Sequence, residues 1–267
     1  MSRGRRQPIA RSRFRLVTPA RAGGVLGLLA SLLAGYGLLT AQVFAIRSID
    51  VSPLTYTDRS ALLGSLGVGQ GTNAFRLSTA GLVERIEALP AVGSASVAVA
   101  LPDRLVVTVT ERAPILAWGG GAVTFLVDRD GMLFHWLPTG SSLPAGLPTI
   151  IDVRTSSPVA LSVGTPLDHV ELDAATRLAS ITPADVGSSA TGLVVEITDA
   201  DGFIVVTTPG SWTAVFGTYG HVLRPPDLIP GQVRLLRSLL SGREAQIARV
   251  VLADDRNGTY VPLATNH

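Results

Sequence analysis

The stretch LPDRLVVTVTERAP, residues 101–114, decides how the first half of the chain is read. Leu105, Val107 and Val109 alternate with Val106, Thr108 and Thr110, the period of two that sends successive side chains to opposite faces of a strand. Ahead of it Val97, Val99 and Leu101 alternate with smaller residues, and Pro102-Asp103 supplies the turn. The two runs therefore form a hairpin, closed at its far end by Pro114, which cannot donate to a ladder.

One face of such a hairpin needs cover, and the preceding residues supply it. Ser78 or Thr79 caps a helix with Leu82, Val83, Ile86 and Leu89 at helical spacing, Glu84, Arg85 and Glu87 on its outer face, and Pro90 as its stop. Thr57 or Asp58 caps an earlier helix carrying Ala61, Leu62, Leu63 and Leu66, ended by Gly67, Gly69 and Gly71. Ile49 and Val51 alternate in a short strand before it. The order strand, helix, helix, strand, strand places two helices on one sheet and uses every apolar stripe between residues 47 and 113.

Upstream, Ala22 to Ile46 carries no charge and is bounded by Arg21 and Arg47. A helix of that length, at about 1.5 Å per residue, crosses the ~30 Å hydrocarbon core. All basic residues are arginine, and Arg3, Arg5, Arg6, Arg11, Arg13, Arg15 and Arg21 precede the span, giving the 1–21 tail a charge of +7. By the positive-inside rule the amino terminus is cytoplasmic and residues 47–267 are translocated. A cleaved signal is the rival, with Val43-Phe44-Ala45 as the cleavage site, but the apolar stretch exceeds the roughly 7–15 residues of a signal core.

The remaining 15 arginines against 20 acids leave the translocated part at −5, which argues against nucleic acid as a partner. With 46% hydrophobic residues in a chain of 267, ordinary cores are expected, and the absence of cysteine excludes disulfides and thiolate metal sites.

Beyond Pro114 the pattern changes to short strands at 123–128, 132–135, 193–198, 203–208, 212–216, 247–253 and 259–263, with Asp130-Gly131 and Asp201-Gly202 as hairpin turns. Two helices interrupt them. One runs from Leu172 to Ser180, opened by Asp168 with Glu171 three residues on, a capping box. The other covers 232–240, with Val233, Leu236 and Leu240 on one side and Arg234 and Arg237 on the other. Pro138 to Pro148 reads as a loop. The fold class is α+β: a single N-terminal transmembrane helix, a β-α-α-β-β unit, then a mostly antiparallel β domain with two helices.

Catalytic chemistry has little to stand on. His135, His169, His221 and His267 lack metal-ligand spacing and read as surface or turn residues. Asp128-Arg-Asp130-Gly131 lacks the later positions of a calcium loop, and Gly67-Val-Gly69-Gln-Gly71 follows a helix where a nucleotide fingerprint follows a strand. Glu111-Arg112 reads as a structural ion pair, with docking between domains as the alternative. Neither catalytic, metal nor cofactor residues are assigned, and no small-molecule substrate is expected.

The order of parts resembles the FtsQ/DivIB family of bacterial cell-division proteins. The likeness rests on residues 44–51 (FAIRSIDV), on Leu66-Gly67 through Gly71-Thr-Asn73-Ala-Phe75, on Leu89-Pro90-Ala-Val92, and most of all on 101–114 followed by Phe125-Leu-Val127-Asp128-Arg-Asp130-Gly131. Trp212, Phe216-Gly217 and the 232–240 helix resemble later parts of the family. Residues 138–148 and 220–230 match loosely.

The resemblance implies a cytoplasmic tail at 1–21, an anchor at 22–46, a POTRA domain at 47–113 and a β domain at 114–267. It implies a divisome scaffold at the septum, not an enzyme, that binds FtsB/FtsL-type membrane partners by β-strand addition and other division proteins through the POTRA domain and anchor. Carried onto this sequence, the partner-binding strand is Thr259, Tyr260, Val261 and Leu263, with Pro262 awkward for want of a donor. Removing 247–267 is expected to abolish capture while the POTRA unit stays folded. A POTRA-containing transport or assembly factor is the alternative, although a barrel would need at least about eight amphipathic strands. So is a membrane-anchored cell-wall enzyme.

Overall fold

The computed structural model describes residues 19–69, 71–121, 123–138, 140–155, 161–222 and 224–264. The tail arginines Arg3 to Arg15 lie outside the described residues, as does the Arg21 side chain. The chain divides into two compact units. Of the described residues, one holds those up to Asp50 with Val68–Thr79 and Ala98–Val106; the other holds Val51–Gly67, Ala80–Val97 and those from Val107 onward.

In the first unit the helix α1, Pro19–Thr40, is the one described helix long and apolar enough to cross a membrane. Its apolar side chains, Leu26, Leu29, Leu33 and Tyr36 among them, are exposed, as suits a lipid-facing helix. It stops six residues short of the expected Ile46: Ala41 is extended and a 3₁₀ turn follows over Gln42–Phe44. The Asn73 side-chain amide donates to the Leu38 and Ala41 carbonyls at 3.0 and 3.4 Å, satisfying acceptors that the end of a helix leaves open. Phe75 packs edge-to-face on Phe44 at 5.0 Å.

The strand β1 (Ser48–Val51), helices α2 (Arg59–Leu66) and α3 (Thr79–Glu87), and strands β2 (Val92–Ala100) and β3 (Arg104–Glu111) appear in the expected β-α-α-β-β order, with sheet order β1-β3-β2. Asp58 caps α2, accepting from the Ser60 and Ala61 amides, and Gly67 closes it in the left-handed region. The apolar stripes are buried as their spacing requires: Leu62 and Leu66, Leu82 and Ile86, and Leu105, Val107 and Val109.

A nine-stranded sheet fills most of the second unit. Its strands are β4 (Leu116–Gly120), β5 (Val123–Val127), β6 (Leu133–Pro138), β7 (Thr149–Asp152), β8 (Gly192–Thr198), β9 (Gly202–Thr208), β10 (Thr213–Gly217), β11 (Ile247–Leu252) and β12 (Gly258–Pro262), in the order β12-β11-β10-β9-β8-β7-β4-β5-β6. Most pairs are antiparallel. β4 and β7 are parallel, as are β7 and β8, and β10 and β11. Parallel neighbours need a crossover. Helix α4 (His169–Ala179) supplies it between β7 and β8, and helix α5 (Ile229–Leu240) between β10 and β11.

Both helices join one core. Val170, Ala174 and Leu178 of α4 and Leu236 and Leu240 of α5 pack with Trp118, Phe125, Val195, Val205, Phe216 and Val250 from the sheet. The opposite parity of β5 and β6 serves a second cluster, in which Leu126 and Phe134 meet Ala91 and Tyr56. Gly202 has to be glycine: its φ is +66°, and a Cβ there would lie 2.6 Å from the Gly217 carbonyl carbon.

Polar side chains brace this unit. Glu111 accepts from the Thr55, Tyr56 and Thr57 amides at 2.6, 3.0 and 2.6 Å, while Arg112 pairs with Asp128 of the β5–β6 turn. The expected pair between Glu111 and Arg112 does not form: Glu111 is taken by the 55–57 backbone, and Arg112 reaches Asp128 beyond residue 114, the arrangement of the alternative reading.

Glu244 accepts from the Trp212 indole at 2.9 Å, from the Ser189 amide and hydroxyl, and from the Ser188 hydroxyl. Burial pushes its carboxyl upward, but these donors outweigh it and hold the group down to about 2. The folded value lies below the free value of 4.5, so the stability Glu244 contributes is complete above pH 4.5 and is lost as pH falls toward 2. Across that window the melting temperature of the parent chain should fall faster than that of Glu244→Gln, which never ionises. The two curves should converge at the acid end, as read by far-UV circular dichroism.

Candidate functional site

A strand with one neighbour presents a row of unpaired N–H and C=O groups to whatever approaches. β12 is such a strand. Among the described residues it pairs only with β11, Thr259 opposite Val251, Tyr260 opposite Val250 and Val261 opposite Arg249, and a bulge shifts the register before Pro262 meets Ile247. The Leu263 amide then donates to the Gln246 carbonyl at 2.8 Å, so Leu263 lies just beyond the strand but still against it. All four residues predicted as partner-binding sit together on this edge.

The side chains of β12 are unusual for a sheet that buries so much. Tyr260, Val261 and Leu263 are 41, 52 and 48% exposed, although they project from both faces of the strand. Both faces keep apolar surface open, although Leu235 and Leu239 of α5 approach the strand at Gly258. An uncovered apolar edge favours association with another chain.

The support behind the edge is firm. Ile247, Val250 and Leu252 of β11 are buried, and the 253–257 turn is tied by Asp254, which accepts from the Arg256 and Asn257 amides at 2.7 and 2.6 Å and from the Asn257 side chain at 2.7 Å. The Asn257 side chain leads these donors in holding the Asp254 carboxyl below its usual range. Gln232, fully buried on α5, donates to the Phe216 and Leu252 carbonyls at 3.2 and 3.4 Å and accepts from the Tyr219 hydroxyl at 2.7 Å. Burial pushes the Tyr219 hydroxyl well above the ordinary phenol range, so it remains a donor. This network locks α5 to β10 and β11. Arg249, opposite Val261, pairs with Asp201 at 2.6 Å. Gln232 and Arg249 go unnoticed in the sequence, because each reads as the outward-facing polar residue of an amphipathic element.

The other edge, β6, exposes Trp136, but Leu133 and Phe134 are buried. Two of its residues are buried, whereas none of β12 is.

Comparison with known proteins agrees with this architecture. The FtsQ-type POTRA domain model matches residues 44–112. The cell division protein FtsQ of Mycobacteroides abscessus is 31% identical over 60% of this chain and 52% of its own length. FtsQ of Chloroflexus aggregans is 26% identical over 59% of this chain and 56% of its own, and that of Mycolicibacterium smegmatis 27% over 67% and 52%. The chain spans about half the length of the curated relatives it matches.

Proposed function

We propose, from the membership of this chain in the FtsQ/DivIB family of bacterial cell-division proteins, that it is a single-pass scaffold of the division machinery. Its tail, residues 1–21, is cytoplasmic, and 22–46 anchors it. A POTRA domain over 47–113 and a β domain over 114–267 work outside the membrane at the septum. It holds partners and transforms no substrate.

The observation that carries this reading is the exposed apolar edge at β12. A strand from an FtsB/FtsL-type membrane protein laid beside Thr259, Tyr260, Val261 and Leu263 would satisfy the open backbone groups of β12 and cover its side chains. Main-chain hydrogen bonds then give affinity, and the alternating side chains give specificity. The POTRA domain and anchor serve further division proteins.

Fluorescently tagged full-length protein, expressed at native level, is expected to form a band at mid-cell in dividing cells. A uniform membrane signal throughout the cycle would overturn the proposal.

A further inference from the structure

His169 and His221 are far apart in sequence, yet the fold brings their rings to a centroid distance of 4.5 Å, tilted by 58°. The Asp168 carboxylate is the third member, its Oδ2 3.9 Å from His221 Nε2. One ligand atom from each of the three lies within 4.8 Å of the others. We propose that Asp168, His169 and His221 form a surface site for a divalent transition-metal ion of the zinc class, binding through two imidazoles and one carboxylate.

The chemistry selects that class. Imidazole nitrogen with carboxylate oxygen suits zinc, cobalt, nickel and copper, whereas calcium and magnesium require mostly oxygen. Bonds of about 2.0–2.2 Å around a tetrahedral ion place ligand atoms roughly 3.3–3.5 Å apart. All three side chains are exposed, so small rotations close the remaining gap without disturbing the core.

Both attachment points are fixed. Asp168 is the N-cap of α4, and its Oδ1 accepts from the Val170 and Glu171 amides at 2.9 and 3.2 Å, leaving Oδ2 for an ion. His221 sits in a turn closed by the Gly220 amide donating to the Arg224 carbonyl at 3.0 Å and anchored by buried Tyr219. The start of a helix is the unfavourable end for a cation, and the Asp168 charge offsets that. Three protein ligands leave one position for water or for a ligand from a second molecule. A bound ion would tie His221 to the start of α4.

Full-length protein carrying a histidine-free tag, held in nanodiscs, should be titrated with Co²⁺ while visible absorption is followed. The chain has no cysteine, so no thiolate competes. One Co²⁺ per chain is expected, with the intense bands of a tetrahedral site, displaced by Zn²⁺. His169→Ala and His221→Ala should each weaken binding by at least the roughly 10–100-fold cost of losing an outer-sphere partner. Asp168→Asn retains a capping acceptor but loses the charge, and should weaken binding with the helix intact by circular dichroism. His135→Ala should bind as the parent does. Absence of saturable binding in the parent, or unchanged affinity in both His169→Ala and His221→Ala, would overturn the proposal.

Discussion

Replacing Arg154 by alanine is expected to destabilise the β domain by about 3–5 kcal/mol, the cost of breaking a buried ion pair by removing one partner. Arg154 lies between two acids. Its guanidinium meets Asp152 at 2.6 Å and Glu171 at 2.7 Å, and the three side chains are 14, 3 and 19% exposed. Asp152 also accepts from the buried Trp118 indole at 3.1 Å. Burial pushes the Asp152 carboxyl upward, but hydrogen bonds from Arg154, its charge and the Trp118 indole outweigh it and hold the group below its usual range. At Glu171 burial wins over the attraction of Arg154, and the carboxyl is raised. Without the guanidinium, two largely buried carboxylates would face each other with the cation that now separates them removed. In detergent micelles the melting temperature should drop by about 10 °C or more. Adding Glu171→Gln removes one of the stranded charges and should recover part of the loss. A drop of equal size in the double variant would mean that the side chain acts through packing alone.

The second large effect separates the strand from its support. If the proposed partner docks there, removing residues 258–267 should reduce capture of an FtsB-type protein by more than about tenfold, a difference of roughly 1.4 kcal/mol or more, while leaving the melting temperature within a few degrees. Removing 247–267, the cut that sequence reasoning favours, takes out β11 as well. Ile247, Val250 and Leu252 then leave the core, and Gln232 and Arg224 lose an acceptor at the Leu252 carbonyl. That cut should unfold the sheet around α5, so loss of capture there would not identify the edge. Val261→Asp is the point test: a charge on an exposed edge opposes strand addition, and the half-exposed Val261 gives up little packing. Full capture by Val261→Asp and by the 258–267 deletion would place the partner elsewhere. Both can be read by co-purification from membranes.

Local patterns carried most of the fold. Leu62 and Leu66, and Leu82 and Ile86, repeat at helical spacing and are buried. Asp58 and Asp168 cap the helices assigned to them. The failures have physical causes. β4 ends in Gly119-Gly120, which weakens strand propensity, and β7 is four residues long behind a proline-rich loop. β7 is held between two parallel neighbours far off in sequence, β4 and β8, a contact that alternation cannot reveal, whereas β4 also closes a hairpin with β5. The capping box at α4 is half made, because Glu171 turns to Arg154 instead of the helix start. α5 begins three residues early, at Ile229-Pro230, where proline suits a first turn. The four edge residues were legible as a terminal strand. The exposure of both its faces was not, since that depends on which strand lies beside it.

The amide of Asn73 grips the last carbonyls of α1, and Phe75 leans on Phe44 just after it. A membrane segment fastened in this way behaves as a lever rather than a leash. Any tilt of α1 in the bilayer is transmitted to residues 72–76, instead of being absorbed by slack chain at the point where the polypeptide leaves the lipid.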